Sequence, residues 1–578
     1  MKHKLYSVLG LSENLSDYEK NYEVILSAIR KCRENHFAGL RLPAGTFAIY
    51  NHKAVALYRS LLSGEISATN YARWYAERNI AFDIRDFDTF SVVGNHTQII
   101  LDGLIGAFDF TNVREVRLEG ISVDWLNPPF FTAQVEKIED HKITARTDRK
   151  LLGGEPIVSF QNFDQKTGKQ KGMCVFADVS SVQRETDHCV TFTSADTCGL
   201  SVGDGIIARY IYSFAPVIHF YCCREVVVED VTLYSGCGMG VIAHKCENLE
   251  FEKYRTILKK GRRMSVNTDA AHFISCYGKV HFHHCEFEGM GDDAVNIHGF
   301  YMNVKKIIDE RTVLAEIEAA VQDGITDIPD IADQVEFSAR NTLLPFAKGE
   351  IAFVEADENN PEMVIGFKEE FPKAVTVGCC IGNVSKTAHI LVENCTVKNI
   401  RGRAMLIQTR NAIIRNNYFE GCTGQGVHID TATGWWESIG TRNVEISWNR
   451  FMDCGHGMTK YCDAVGIVVE VEAEEIVAGV HKDIKINNNY IQGENTGIKV
   501  SGTDGLLLSE NCFVGCKKEY EITCCKNVKI IREEDKYENQ VRCDGYRGRY
   551  SRDLRRSFGC KKWSEGFSGS GSTGAWRK

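Results

Sequence analysis

Two strings in this chain bring carboxylates together. Residues 266–273 read VNTDAAHF and residues 289–299 read GMGDDAVNIHG, so Asp269 precedes Asp292 by 23 residues and Asp293 follows directly. Carboxylates gathered at one place repel, and at least one then holds its proton near neutral pH while a partner stays ionised. Hydrolysis of a glycosidic bond needs that division: one acid protonates the leaving oxygen and one base activates water. Asn267, Asn296 and His298 lie in the same strings, and Gly289 and Gly291 open the backbone around the pair. Other readings of an Asp cluster are turn formation and calcium binding. The 23-residue spacing, with the glycines and the Asn and His residues alongside, favours catalysis.

Side chains 23 residues apart meet if the chain returns to the same place at that interval, and the sequence carries such a period. A six-residue pattern recurs as FHHCEF at 282–287, VENCTV at 392–397, IRNNYF at 414–419, ISWNRF at 446–451, INNNYI at 486–491 and LSENCF at 508–513. Cys395 to Asn417 and Asn489 to Asn511 are each 22 residues. That period, with β-branched alternation and glycine-rich turns, predicts an all-β chain forming a right-handed parallel β-helix. The recurring Asn and Cys are expected to stack in a ladder, bonding the next coil, and not to serve as ligands. Longer intervals mark excursions. Asn417 to Asn449 is 32 residues, which expels a loop near 431–440. Asn449 to Asn489 is 40, room for two coils or for one with an excursion.

Two stretches lack the repeat and alternate as antiparallel hairpins, predicting inserted β-barrels. Ser16 and Glu19 suggest a capping box for a helix to about Cys32, with Tyr22, Ile25, Leu26 and Ile29 on one face, covering the open end of the first coil. LRLPAGTFAIY at 40–50 would be the first strand–turn unit. The expected division is an N-terminal cap and first coils over 1–129, a barrel over 130–212 and coils carrying the aspartates over 213–299. A second barrel follows over 300–385, then coils over 386–535 and a basic, disordered tail over 536–578.

Composition narrows the function classes. Of 578 residues, 43% are hydrophobic and 25% charged, with a net charge of −9, which gives no electrostatic footing for nucleic acid. No apolar run approaches the roughly 18 residues of a membrane span. The 22 cysteines are scattered and include no C-x-x-C, which argues against a zinc ribbon and for buried free thiols. The cluster His281, His283, His284 and Cys285 reads as alternation on a strand. The N-terminus is a poor signal peptide, so a cytoplasmic location is expected.

The segments SVDWLNPPF at 122–130, NTDAAHF at 267–273, GDDAVNIHG at 291–299, RGRAMLIQTR at 401–410 and WWES at 435–438 together resemble glycoside hydrolase family 110. These are α-1,3-galactosidases of the β-helix glycosidase clan that also holds the polygalacturonases. The resemblance spans roughly residues 15–530 and includes the two inserted barrels. It departs at Ala270 and Ala271, where pectin-hydrolysing enzymes have Gly, which speaks against polygalacturonase activity. It implies an exo-acting, inverting enzyme that removes terminal α-1,3-linked galactose from blood-group-B-type or linear α-galactosyl glycans. Asp292 would be the general acid, Asp269 and Asp293 would hold the attacking water, and no metal or organic cofactor would be needed. Gln408, Arg410, Trp436 and Glu437 are expected to contact the sugar beside Asn267, Asn296 and His298. The competing readings are another β-helical glycosidase, polygalacturonase-like, and a non-enzymatic glycan-binding β-helix.

Overall fold

The computed structural model describes residues 4–66, 79–147, 149–151, 154–171, 179–197, 199–317, 327–356, 360–457 and 464–532. The expected tail over 536–578 lies outside them.

The chain folds as a parallel β-helix. One sheet runs coil by coil through Ile80–Arg85, Gly106–Thr111, Ile218–Tyr221, Val241–His244, Ala271–Ile274, Val295–Ile307, Met405–Ile407, Val427–Ile429, Ala464–Val469, Thr496–Val500 and Lys518–Ile522, each parallel to the next. This will be called the site sheet. A second parallel set passes through Glu225–Leu233, Glu247–Glu252, Tyr277–His283, His389–Glu393, Ala412–Arg415, Arg442–Ser447, His481–Asn487, Thr503–Ser509 and Lys526–Ile531. Alternation along each strand sends Phe273, Ile297, Ile407, Ile429 and Val469 into the solenoid, all fully buried. Aromatic rings stack between coils, as in Phe82 on Phe108 at 4.6 Å and Phe251 on Phe282 at 4.6 Å.

The ladder forms as the repeat predicts. Asn417 Oδ1 accepts from the Cys395 amide at 2.9 Å, and Asn449 Oδ1 from both the Asn417 amide and its Nδ2. Asn489 and Asn511 repeat this for the coils below. Cys395 Sγ serves the Cys285 amide in the same way. Asn449 stacks directly on Asn489, so the 40-residue interval is one coil with an excursion. Of the histidine cluster, His281 faces Glu393 and His283 faces Glu252, while Cys285 turns inward to the ladder.

The first coil is covered by the helix Tyr18–Asn35, which buries Asn21, Ile25, Ala28, Ile29 and Cys32. The expected capping box does not form. A short 3-10 turn, Leu15–Asp17, precedes the helix, and the Asn14 side chain accepts from the Ser16 amide there. Glu19 turns instead to His52 at 2.6 Å. A second helix, His52–Leu62, was not legible as a helix. Its cap is Asn51, which accepts from the Ala54 amide.

Both long interruptions are antiparallel. In the first, the strands from Phe130–Glu139 to Gly205–Arg209 form one six-stranded sheet, and the described pairings do not close a ring. In the second, Val295–Ile307 continues out of the site sheet and pairs with Thr312–Glu316. Glu362–Phe367, Pro345–Ala356, Gln334–Ser338 and Cys380–Asn383 follow in turn, and the last pairs back with Val295–Ile307.

Candidate active site

The three aspartates sit where a turn enters the site sheet, just before the strands Ala271–Ile274 and Val295–Ile307. Ala271 pairs with Val295, so the coil stacks the two turns on each other. Asp269, Asp292 and Asp293 each bring a carboxylate oxygen within 4.8 Å of the others. The Asp293 amide donates to Asp269 Oδ1 at 3.2 Å, tying the two turns together. Gly291 is required there: a Cβ would lie 1.9 Å from the Asn267 carbonyl oxygen.

Each carboxylate has its own partners. Arg401 Nη1 lies 2.6 Å from Asp292 Oδ1, and the Tyr212 hydroxyl donates to Asp292 Oδ2 at 3.1 Å. Arg403 grips Asp293 with its amide at 2.7 Å, Nε at 3.1 Å and Nη2 at 2.7 Å. Asp269 Oδ2 lies 2.7 Å from His272 Nδ1. Asp292 is the most open, with 16% of its side chain exposed against 6% for Asp269 and 2% for Asp293. Burial pushes the Asp269 carboxyl up to about 7; the His272 hydrogen bond opposes this and the charges of Asp292 and Asp293 reinforce it.

The two arginines come from one turn with Gly402 between them. Gly402 has φ +130°, and a Cβ there would meet Asp292 C at 2.7 Å and Asp293 Oδ1 at 2.8 Å. Backbone thus lies against the Asp pair while the arginines reach around it. The first insertion braces the turn from the other side. Gln161 Nε2 donates to the Gly291 carbonyl at 3.1 Å, Arg209 Nη1 to the Asn267 carbonyl at 2.8 Å and Arg209 Nε to Ser159 at 2.7 Å. Burial pushes the Arg209 guanidinium down to about 10.

Outward side chains of the site sheet line up coil over coil. His272, Asn296, Leu406 and His428 form one column. The other runs from Ile274 to His298 and continues to Gln408, Asp430 and Glu470, whose amides donate to the carbonyls of Ile297, Ile407 and Ile429. Across it lies the loop containing Glu437, which pairs with Phe300 and places Oε1 3.8 Å from His298 Nε2. Several polar atoms here are buried without a hydrogen-bond partner: Asn267 Oδ1, Asn296 Oδ1, both amide atoms of Gln408 and Asp430 Oδ1. Burial and the charges of Glu472 and Glu470 push the Asp430 carboxyl up from the usual carboxylate range.

Of the expected contacts, Asn267 and Asn296 lie on the two coils that carry the aspartates, and His298, Gln408 and Glu437 line the column beside them. Arg410 and Trp436 do neither. Arg410 Nη2 lies 2.6 Å from Glu336 Oε2 in the second insertion, because that buried carboxylate needs a cation. Trp436 is buried among Tyr301, Leu343 and Val480 with Arg340 4.9 Å over its ring, so its face is covered. The sequence reading missed Arg401, Arg403, Tyr212, His272 and Asp430. Arg401 and Arg403 stand in the quoted string RGRAMLIQTR, but the second insertion separates them from Asp292 by more than a hundred residues. A period of 22 could not pair them.

Comparison with known proteins places this geometry. The chain is 24% identical to an "Alpha-1,3-galactosidase B" of Bacteroides thetaiotaomicron, over 85% of this chain and 83% of that protein. It is 24% identical to an "Alpha-1,3-galactosidase A" of Shewanella woodyi, over 89% of this chain and 86% of that one. The chain is similar to α-1,3-galactosidases over most of its length. Residues 346–542 match a family described as "Protein of unknown function (DUF1565)". Among solved structures, a Yersinia enterocolitica family 28 exopolygalacturonase aligns with a TM-score of 0.43 and 11% identity, covering 91% of this chain and 78% of that one.

Proposed function

We propose that this protein is a glycoside hydrolase, an exo-acting inverting α-1,3-galactosidase acting on terminal galactose of blood-group-B-type or linear α-galactosyl glycans. The observation that carries the reading is the meeting of Asp269, Asp292 and Asp293 within 4.8 Å, in a chain whose relatives bear that name. The amide of Gln408 offers a donor and an acceptor, and Asp430 Oδ1 a further polar atom, to sugar hydroxyls. The loop bearing Glu437 lies across the site sheet, which suits a single terminal sugar better than a polymer running through.

In this reading Asp292, the most open carboxyl, protonates the leaving oxygen, while Asp269 and Asp293 hold the water that attacks the anomeric carbon. One observation favours a second assignment, with Asp269 as the proton donor: its carboxyl is the one burial pushes up to about 7. The activity is tested by offering a B-type trisaccharide, a linear α-1,3-galactoside and polygalacturonate. Galactose released from either of the first two supports the reading; galacturonate released from the third, or no sugar from any, overturns it.

A further inference from the structure

Three hydrogen bonds run end to end beside the reacting carboxylates. Asp269 Oδ2 lies 2.7 Å from His272 Nδ1, His272 Nε2 lies 2.8 Å from His298 Nε2, and His298 Nδ1 lies 2.9 Å from the Gly299 carbonyl oxygen. All three side chains are buried. A carbonyl oxygen only accepts, so His298 Nδ1 carries a hydrogen. Two facing ring nitrogens need a hydrogen between them, as do a ring nitrogen and a carboxylate oxygen. The three links therefore need three hydrogens. A carboxylate and two neutral imidazoles bring only two.

We propose that Asp269, His272 and His298 share one additional proton, and that His272 and His298 are positioning residues that fix the orientation and the charge of Asp269. With that proton the trio is neutral overall. It is either an Asp269 carboxylic acid facing neutral His272, or a carboxylate facing a His272 imidazolium. The two differ only by a proton shift along one hydrogen bond. In both, Oδ2 is committed to His272, which leaves Oδ1, bonded to the Asp293 amide, as the oxygen turned to the other aspartates.

The surroundings favour this inventory. Asp269 faces Asp292 and Asp293, His272 faces Glu437 and Asp293, and His298 faces Glu437 and, beyond it, Asp327. The guanidiniums nearest them are engaged by the other carboxylates, Arg403 by Asp293 and Arg401 by Asp292. Burial depresses both imidazoles, yet the hydrogen bond and charge of Asp269 leave His272 raised overall while His298 stays lowered. The proton therefore resides at the Asp269 end.

The kinetic test rests on the galactosidase reading; the spectroscopic one does not. His272→Asn places an amide nitrogen where Nδ1 stood, so it keeps a donor to Asp269 but cannot carry charge. Loss of an opposite charge at this distance is worth roughly one pH unit or more. The limb of the kcat/KM–pH profile that belongs to Asp269 should therefore move up by that amount. It is the acidic limb if Asp269 is the base and the alkaline limb if it is the acid; the direction is upward in both. A uniformly slower enzyme with an unmoved profile would mean that His272 is merely structural and overturns the proposal. Independently of any activity, proton NMR of the full chain should show a far-downfield imidazole N–H resonance that vanishes in both His272→Asn and Asp269→Asn. Should the Asn variants fail to fold, His219→Gln and His244→Gln remove the other buried His–Asp bonds: a histidine-labelled downfield signal that survives them supports the shared proton, and its absence overturns it.

Discussion

At the residue scale, the site rests on three identical side chains given unlike surroundings. Asp292 meets Arg401 and Tyr212, Asp293 is gripped by Arg403, and Asp269 leans on His272. Their division of labour predicts different behaviour for isosteric variants. Asp292→Asn cannot deliver a proton, so hydrolysis of a glycan should slow by about 10²–10⁴-fold, the usual worth of general acid assistance. A p-nitrophenyl α-galactoside, whose leaving group hardly needs the proton, should lose much less. Asp269→Asn and Asp293→Asn impair water activation and should slow both substrates alike. If Asp269→Asn spares the aryl substrate and Asp292→Asn does not, the acid and base roles are exchanged. The carboxylate cluster was legible from spacing because Asp269 and Asp292 lie one uninterrupted coil apart. Their counterions were not, because the chain leaves the solenoid before it returns at Arg401. Trp436 shows the opposite failure: a Trp in a loop suggested a sugar contact, and packing against Tyr301, Leu343 and Val480 claims the ring.

At the element scale, the coil is held by hydrogen bonds that the six-residue pattern encodes. Each ladder Asn accepts from the coil before it and donates to the coil after it, so removing one in the middle orphans several buried groups. Asn449→Ala strips the partner from the Asn417 amide and Nδ2 and from the Ile414 carbonyl. With about 1–3 kcal/mol for each buried group left unsatisfied, the loss should be several kcal/mol, read by urea denaturation. Asn511→Ala strips the corresponding set, the Asn489 amide and Nδ2 and the Ile486 carbonyl, but at a half-buried position where water can replace the lost partner, and should cost less. A negligible loss at Asn449 would contradict the ladder account, and equal losses at the two positions would show that exposure does not soften the cost. The solenoid was readable because its period repeats. The helix His52–Leu62 was not, since Asn51 is its one strong local signal and its apolar residues are few.

At the scale of the whole molecule, the two insertions emerge beside the site sheet and serve as its supports. The first presses Gln161 and Arg209 onto the turn carrying the aspartates. The second is pinned to the coils by Glu336, which faces Arg410 at 2.6 Å and Arg442 at 3.4 Å. Glu336→Ala leaves the mostly buried Arg410 without that partner, and breaking a buried pair from one side costs about 3–5 kcal/mol. Hydrogen exchange should then rise over 327–383, with the Asn ladder unaffected; protection unchanged in that region would show that the pin is dispensable. That the chain leaves the helix near 130 and 300 was visible as loss of the repeat. Where the insertions dock was not, because it depends on single contacts such as Glu336 with Arg410 that no periodicity announces.

On the proposed reading, three aspartates on two stacked turns of a β-helix cleave an α-galactosidic bond by a single displacement. Their separation, below the about 6.5–9.5 Å usual for inverting pairs, leaves the stereochemistry to measurement. Incubating the full chain with a B-type trisaccharide and following free galactose by proton NMR tests this most directly. The account predicts that β-galactose appears first and mutarotates to the equilibrium mixture. Initial release of α-galactose, or no galactose at all, would contradict it.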